Sequence, residues 1–238
     1  MIDIHNHGLF CVDDGAESKD ESVLMLQEAK KQGVTAIVMT PHYRHGMFQY
    51  PTETIERTFA ELKQEAEKIG IDLYLGCEYH VNSRILEYLQ NGRCHALAGS
   101  RFVLTEYSYE TEYSYMEEWT GNLIRNGYIP IIAHAERYAC MIKSPERAWN
   151  LMRFGAYIQL NADSVLGKLG FSVKRFCKKV LNENYESTII ASDVHDRTER
   201  ANHLRACFEY IEKKMGTEVA HAVLVKNPGE VIRENAST

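Results

Sequence analysis

The feature that most restricts the fold of this chain is a regular alternation of short apolar runs with amphipathic helical segments. Each run is followed by a segment whose apolar side chains recur at helical spacing. Strands that alternate with helices form parallel sheets, and seven cycles in 238 residues favour a barrel over an open sheet. No linker or change of composition divides the chain, so we predict one α/β domain over residues 1–238. The seven runs of strand type cover residues 2–4, 35–39, 71–75, 101–104, 128–132, 156–160 and 187–190.

Local sequence signals place the ends of several helices. Ser18 and Glu21 stand three residues apart, as in a capping box, and Gly33 ends the helix that they begin. Pro145 follows Ser144 at the first position of a later helix, where proline is favoured. We predict helices over about residues 18–33, 51–68, 83–90, 116–126, from 144 onwards, and over 173–181, 199–214 and 218–225.

Histidines and carboxylates follow six of the seven predicted strands. Any one of them alone would be interpreted as a hydrogen-bonding or helix-capping residue. In a parallel barrel, however, the carboxyl ends of the strands meet at one rim, where the active sites of such folds lie. The set therefore predicts a metal site at that rim. Its members are His5 and His7, His42, Glu78, Glu106, His134, and Asp193 with His195, while Asn161 follows the remaining strand.

The types of ligand indicate which ions and which chemistry this rim supports. Imidazoles and carboxylates without a thiolate suit manganese, iron, zinc or magnesium. With Asp14 added, the nine candidate ligands are too many for one ion and would serve two or three divalent ions. Four carboxylates against three such ions leave a positive centre that attracts a phosphate dianion. Adjacent ions generate a hydroxide near neutral pH and stabilise both oxygens of an in-line displacement, so we predict hydrolysis of a phosphoester.

Six short motifs occupy these positions. They are Asp3-x-His5-x-His7, Asp13-Asp14-Gly15-Ala16, Thr40-Pro41-His42, Glu78, His134-Ala-Glu136-Arg137-Tyr138 and Ser192-Asp193-x-His195. Together they resemble the PHP (polymerase and histidinol phosphatase) superfamily. Within it, the chain is similar to the manganese-dependent protein-tyrosine phosphatases encoded with capsule and exopolysaccharide genes in Gram-positive bacteria. The resemblance implies a distorted (β/α)7 barrel, similar to a TIM barrel, with its metal site at the C-terminal rim of the strands.

The resemblance also implies roles for the site residues. Arg137 and Arg200 match the phosphate-binding arginines of the family. The reaction would be direct attack of a metal-bound hydroxide on phosphorus, without a phosphoenzyme. Its substrate would be the phosphotyrosyl tail of a membrane-associated bacterial tyrosine kinase that controls capsule or exopolysaccharide synthesis. A first metal would take His5, His7, Glu78 and Asp193, a second would share Glu78 and add Glu106 and His134, and a third would take Asp14, His42 and His195.

Other functions stay open at this point. A small-molecule phosphoesterase, such as a histidinol phosphatase, would use the same ligands. A non-catalytic, metal-stabilised regulatory module is a third alternative, and the complete ligand set argues against it. Thiol-based hydrolysis of phosphotyrosine needs a cysteine separated from an arginine by five residues, and none of the six cysteines meets that condition.

Composition limits the partners and the location of the protein. The formal net charge of −6 argues against nucleic acid or an anionic membrane as a partner. No apolar run is long enough to span a membrane, and no basic and then apolar leader opens the sequence, so we expect a cytoplasmic protein without membrane insertion. The scattered cysteines are expected to be free thiols. The alternating charges over residues 51–68 favour a solvated helix face, and they leave a homo-oligomer open.

Overall fold

The strands of the fold are short, parallel and largely buried. The computed structural model describes residues 1–233, so residues 234–238 of the predicted domain lie outside the described range. Every predicted strand is present, and two of them continue as separate strands after Pro41, which has no N–H for the ladder, and after Gly76-Cys77. The strands are β1 (Ile2–Asp3), β2 (Ala36–Met39), β3 (His42–Tyr43), β4 (Asp72–Leu75), β5 (Glu78–His80), β6 (Phe102–Glu106), β7 (Ile129–Ile132), β8 (Tyr157–Asn161) and β9 (Thr188–Ala191).

Two parallel sheets form the layer that carries the rim. Their strand orders are β1-β2-β4 and β3-β5-β6-β7-β8-β9, and the chain passes from the first sheet to the second between β2 and β3 and between β4 and β5. Backbone contacts also join the first and last strands. Asn6 forms a parallel bridge with Val194, and the N–H of Asp193 donates to the carbonyl of His5 at 2.9 Å. The C-terminal ends of all the strands therefore gather on one side, as predicted for a barrel.

Helices follow the strands in the predicted order. Ser18 caps the first one, since its side chain accepts the N–H of Glu21 at 3.2 Å, as the capping box predicts. No helix within residues 1–233 is both long and apolar enough to cross a membrane. The helices are α1 (Lys19–Lys31), α2 (Thr52–Ile69), α3 (Ile85–Gln90), α4 (Tyr113–Arg125), α5 (Ala139–Lys143), α6 (Glu146–Arg153), α7 (Ala162–Leu166), α8 (Phe171–Asn184), α9 (Leu204–Met215), α10 (Thr217–His221) and α11 (Asn227–Arg233), with a π-helical turn over Ala222–Lys226.

The predicted start of the helix at residue 199 is wrong, and the short helices α5, α7 and α11 were not predicted. The helix expected from residue 199 begins only at Leu204. The carboxylate of Asp196 accepts the backbone N–H of Glu199 at 2.7 Å and so holds this segment in a turn. Asn202 then accepts the N–H of Leu204 at 3.0 Å, which places the start of α9 there. A local side-chain hydrogen bond therefore overrides the helical pattern of the sequence.

The alternation of side chains along the strands separates two cores. One cluster joins strand residues to one another and comprises Ile4, Val38, Leu104, Ile131, Ile189 and their neighbours. The adjacent residues Ile37, Val103, Ile132 and Ile190 belong instead to the cluster that contains the helix side chains. Glu106 lies two positions after Leu104, and Asp193 lies four after Ile189. The same alternation therefore directs both carboxylates to the inner side, above the first cluster.

Candidate metal centre

Glu78 lies at the centre of the predicted site, with imidazoles on both sides of its carboxylate. It opens β5 and is 1% exposed. Its Oε2 lies 3.1 Å from His5 Nε2, 3.3 Å from His7 Nε2 and 2.9 Å from His42 Nδ1. Its Oε1 lies 2.9 Å from His134 Nε2. One buried carboxylate therefore contacts histidines from three other strand ends.

His5, His7 and Asp193 form the first group that could hold a cation. The Nε2 atoms of the two imidazoles face each other at 3.1 Å. Asp193 Oδ1 lies 3.4 Å from the first of these nitrogens and 3.6 Å from the second. With Glu78 beside them, these side chains make up the four residues expected around the first ion.

His42, Glu78 and Glu106 form a second such group. The resemblance implied His134 next to Glu106, whereas here His42 belongs to the group. His134 Nε2 lies 3.9 Å from Glu106 Oε1, at the edge of the same cluster. Both histidines are therefore close to this pair of carboxylates.

His7, Asp14, His42 and His195 form a third group, nearer to solvent. Asp14 Oδ1 lies 3.4 Å from His42 Nε2 and 3.5 Å from His195 Nε2. The rings of His7 and His195 stack with their centroids 3.8 Å apart. The side chain of Asp14 is 49% exposed, so the cluster opens to solvent on this side. The structure thus brings all nine predicted residues together.

The donor atoms of the cluster fit a divalent cation. Glu78 Oε2 and His195 Nε2 are buried, and within residues 1–233 neither has a partner with good hydrogen-bond geometry, although three imidazole nitrogens lie within 3.3 Å of Glu78 Oε2. Buried polar atoms are normally hydrogen-bonded, so each exception needs an explanation. Imidazole nitrogens and carboxylate oxygens that converge on one another in this way are the arrangement that a cation with N and O ligands requires.

Charge interactions within the cluster shift its pKa values strongly. Burial lowers the pKa of His5, but the carboxylates of Glu78 and Asp193 raise it more, to about 9. Burial likewise lowers the pKa of His42, and the charge of Glu78 raises it to about 10. Burial raises the pKa of Glu78, but the charges of His5 and His42 hold it well below its usual range. The pKa of His195 falls to about 4, chiefly through burial.

Metal binding is therefore expected to release protons and to weaken as the pH falls. His5 and His42 have pKa values of about 9 and about 10, so both are protonated at neutral pH without metal, whereas ligation needs their neutral forms. At a pH below these pKa values, each proton that the metal must displace lowers the apparent metal affinity about tenfold for every unit by which the pH falls. Calorimetric titration in two buffers of different ionisation enthalpy should show a release of protons at neutral pH. A binding enthalpy that does not depend on the buffer would contradict this prediction.

Two members of the cluster have strained backbones. His134 has φ of 32° and Asp193 has φ of 53°, in the left-handed region that residues other than glycine rarely adopt. Such conformations cost about 1–3 kcal/mol each and persist where the surroundings hold them. The N–H of His134 donates to Gln159 at 2.7 Å, and the N–H of Asp193 donates to His5 at 2.9 Å. Strain at two candidate ligands supports a functional role for this rim.

Two residues that support the cluster, Asp13 and Gln159, were not among the predicted site residues. Asp13 Oδ2 accepts the Nδ1–H of His7 at 2.7 Å and the backbone N–H of His42 at 3.0 Å. Gln159 is fully buried, and its side chain lies 3.0 Å from His5 Nδ1. The sequence does contain a signal for each of them: Asp13 is a second acidic residue beside Asp14, and Gln159 is a polar residue within an apolar strand.

The two predicted arginines both reach Asp193. Arg137 Nη2 lies 3.3 Å from Oδ2 of Asp193, and Arg200 Nη2 lies 3.3 Å from Oδ1. Arg200 Nη1 is also 3.8 Å from Asp14 Oδ2. Their side chains are 23% and 39% exposed. A guanidinium has five N–H groups, and these contacts use only some of them, so others can bind an anion.

Comparison with known proteins gives one consistent family. Residues 1–233 match the family model described as capsular polysaccharide synthesis, CpsB/CapC. The tyrosine-protein phosphatase CpsB of Streptococcus pneumoniae is 35% identical over 240 residues, which cover 98% of this chain and 99% of that protein. The putative tyrosine-protein phosphatase CapC of Staphylococcus aureus is 36% identical over 211 residues, 87% of this chain and 82% of that protein.

Solved structures agree with this result. One, from a study of YwqE from Bacillus subtilis and CpsB from Streptococcus pneumoniae as unique metal-dependent tyrosine phosphatases, matches with a TM-score of 0.90 at 27% identity and covers 98% of this chain and 95% of that one. The phosphotriesterase of Mycobacterium tuberculosis shares the fold alone, with a TM-score of 0.62 at 12% identity over 98% and 94% of the two chains. The predicted α/β barrel class and the predicted resemblance are confirmed. This chain belongs to the CpsB/CapC family of capsular polysaccharide synthesis.

Proposed function

We propose that this protein is a metal-dependent tyrosine-protein phosphatase. One observation carries the proposal: three groups able to hold a cation meet around Glu78, with two arginines beside them. Relatives over nearly the whole chain are named as tyrosine-protein phosphatases, and the solved structure that matches at a TM-score of 0.90 is described as metal-dependent.

We assign the cofactor as two or three divalent ions, manganese in the first place, with iron, zinc and magnesium as alternatives. When bound, such ions acidify water and stabilise the attacking and leaving oxygens of an in-line displacement. Glu78 would join neighbouring ions, because both of its oxygens contact imidazoles of the cluster. The proposed ligands are His5, His7, Asp14, His42, Glu78, Glu106, His134, Asp193 and His195.

The side chains beside the ions orient the substrate for that reaction. Arg137 and Arg200 bind the equatorial oxygens of the phosphate, since a guanidinium forms paired, charge-assisted hydrogen bonds with it. Asp193 holds both arginines, one by each carboxylate oxygen, at 3.3 Å and 3.3 Å. Asp14, at 49% exposure, lies on the side from which a phosphotyrosyl side chain would enter.

Cysteine chemistry has no part in this proposal. All six cysteines are free, as predicted, and none belongs to the groups that could hold a cation within residues 1–233. Burial raises the pKa of the Cys77, Cys177 and Cys207 thiols, which disfavours the nucleophilic thiolate. The reaction therefore needs no covalent intermediate on sulfur.

The proposed substrate is the phosphotyrosyl tail of a membrane-associated bacterial tyrosine kinase. The family description connects the chain with capsular polysaccharide synthesis, and such a kinase would control that process. We place the reaction in the cytoplasm and treat residues 1–238 as one domain. A chain with a net charge of −6 is not expected to bind nucleic acid. A homo-oligomer that meets through the charged face of α2 stays a prediction.

An assay with and without metal separates this proposal from its alternatives. Protein stripped with a chelator and reloaded with manganese is assayed on a tyrosine-phosphorylated peptide and, in parallel, on histidinol phosphate. We expect peptide hydrolysis that the chelator abolishes and N-ethylmaleimide leaves unchanged. A preference for histidinol phosphate would indicate a small-molecule phosphoesterase. If the loaded protein hydrolyses neither compound, a regulatory module is the better description.

Arg137→Ala is expected to weaken phosphate binding while the metal ions stay bound. Hydrogen bonds to charged groups contribute about 1.5–3 kcal/mol each. The KM for the peptide and the inhibition constant of inorganic phosphate should therefore rise about 10- to 100-fold. Arg84→Ala, which removes an arginine paired with Glu87 on α3, is the control. Loss of bound metal in Arg137→Ala would mean that this arginine organises the ligands instead of the substrate.

A further inference from the structure

A buried pair of amide side chains supports the site, and the mechanism above does not use it. Gln159 and Asn161 lie two positions apart at the end of β8, so their side chains leave the strand on the same side. They are 0% and 3% exposed. Together they contact three of the nine candidate ligands, His5, His134 and Asp193.

Hydrogen bonds connect these groups into one chain, which we call the amide relay. Gln159 Oε1 accepts the backbone N–H of His134 at 2.7 Å and lies 3.0 Å from His5 Nδ1. Gln159 Nε2 donates to Asn161 Oδ1 at 2.7 Å. Asn161 Nδ2 donates to Asp193 Oδ2 at 2.7 Å. The relay therefore connects His134, which follows β7, with Asp193, which follows β9, through two side chains of β8.

The two ends of the amide relay fix the orientation of both amides. The backbone N–H of His134 can only donate, so the Gln159 atom beside it must be the carbonyl oxygen. An ionised Asp193 carboxylate can only accept, so Asn161 must present its NH2 group to it. Reversing either amide would place two donors or two acceptors against each other at 2.7 Å. The relay therefore has one direction.

That direction sets the tautomer of His5. The oxygen of Gln159 faces Nδ1, so this nitrogen carries the proton and donates it. The lone pair of the neutral ring is then on Nε2, which lies 3.1 Å from Glu78 Oε2 and 3.4 Å from Asp193 Oδ1. A histidine that ligates a metal needs this arrangement, with its other nitrogen held by a fixed acceptor.

The amide relay also holds the two strained residues. His134 and Asp193 have φ of 32° and 53°, and each is hydrogen-bonded to one end of the relay. Asn161 donates to Oδ2 of Asp193, which Arg137 also contacts, while Oδ1 faces His5 Nε2 at 3.4 Å and accepts from Arg200. The relay therefore fixes the donor atom of His5 and, together with the two arginines, the orientation of the Asp193 carboxylate.

We propose that Gln159 and Asn161 are positioning residues for cation binding at the His5 side of the centre. This inference rests on the proposed metal-dependent function. Residues that hydrogen-bond to a metal-binding histidine without touching the metal are important for affinity. Their replacement typically lowers the metal affinity about 10- to 100-fold. The relay holds a histidine and a carboxylate of the same cation group, so its loss acts on two ligands at once.

Two substitutions of Gln159 test the amide relay. Gln159→Glu keeps an acceptor for His5 and His134, whereas Gln159→Met, of similar size, keeps none. The affinity of the stripped, full-length chain for Zn²⁺ is measured by calorimetric titration, without reference to activity. We expect Gln159→Met to weaken binding about 10- to 100-fold. Gln159→Glu should recover only the part of that loss that comes from His5 and His134, because a carboxylate cannot donate to Asn161 Oδ1. Nitrogen-15 NMR of the zinc-loaded protein should find the His5 proton on Nδ1 in the wild type and in Gln159→Glu.

Asn227→Leu is the matched control. It removes a buried amide of α11 that donates to the carbonyls of Tyr185 and Thr188. It should lower the thermal stability of the metal-free protein and leave the affinity for Zn²⁺ unchanged. If Gln159→Met does not fold, Asn161→Asp, which opposes a second carboxylate to Asp193, is expected to show the same loss of affinity.

Three outcomes decide between the proposals. Equal affinities in Gln159→Met and the wild type would overturn the role of the relay and leave the metal-dependent function intact. An equal loss in Asn227→Leu would also overturn it, because the effect would then follow from general destabilisation. If the wild-type chain binds no divalent ion, the proposed function itself fails.

Discussion

Glu78→Gln is expected to remove most of the bound metal and to lower phosphatase activity about 1,000-fold or more. The substitution keeps the shape of the side chain but replaces one anionic oxygen with an NH2 group that can only donate. Oε2 of Glu78 lies between 2.9 and 3.3 Å from three imidazole nitrogens. The bound metal stabilises charge in the transition state by several kcal/mol. Losing that stabilisation accounts for the roughly 1,000-fold fall in activity, because each 1.36 kcal/mol changes the rate about tenfold. The measurements are kcat/KM on a tyrosine-phosphorylated peptide and metal content by atomic emission.

Glu230→Gln provides a matched control for this loss of charge. Glu230 accepts a hydrogen bond from the hydroxyl of Tyr157 at 2.7 Å and belongs to α11, not to the cluster. Its replacement should leave metal content and activity unchanged. Circular dichroism should show that both variants are folded. A Glu78→Gln variant with full metal content and wild-type activity would exclude Glu78 as a shared ligand.

The rim of histidines and carboxylates could be predicted because its members follow the strands closely in sequence. Glu106 is the last residue of β6, His134 lies two positions after β7, and Asp193 lies two positions after β9. Parallel strands place such residues on one edge whatever their order in the sheet. Local patterns were therefore sufficient to predict that these side chains meet at one edge.

The grouping of these residues could not be predicted in the same way, because it depends on register between distant strands. His42 pairs with Glu78 in the β3–β5 ladder, which brings it to the carboxylate that the resemblance assigned to other histidines. Nothing in the sequence around residue 42 specifies that register. Gln159 escaped prediction for a related reason, since its partner His5 lies 154 positions away. Long-range hydrogen bonds carry no local signal.

Gly15→Ala is expected to destabilise the protein and to weaken metal binding, although it adds a single methyl group. A Cβ at this position would lie 2.0 Å from the carbonyl oxygen of His7 and 2.7 Å from its Cβ. These atoms cannot rotate away, so the loop must shift and take Asp13 with it, which holds His7 Nδ1 at 2.7 Å. We expect a loss of about 1–3 kcal/mol in the free energy of unfolding and about 10- to 100-fold in metal affinity. Denaturant unfolding in the presence of a chelator and calorimetric titration measure the two effects separately.

Gly121→Ala is the matched control, because the clash at Gly15 must be distinguished from the general effect of replacing glycine. For a Cβ at Gly121, within α4, the nearest side-chain atoms belong to the flexible guanidinium of Arg125, the closest at 3.2 Å. Alanine is favoured over glycine inside a helix by about 1 kcal/mol, so this variant should be more stable and bind metal as the wild type does. If alanine destabilises the protein at position 15 and stabilises it at position 121, the loss at Gly15 is due to its close approach to His7. Gly15→Ala could instead have the same free energy of unfolding and the same metal affinity as the wild type. In that case the loop accommodates a side chain, and the close approach of Gly15 to His7 does not organise the centre.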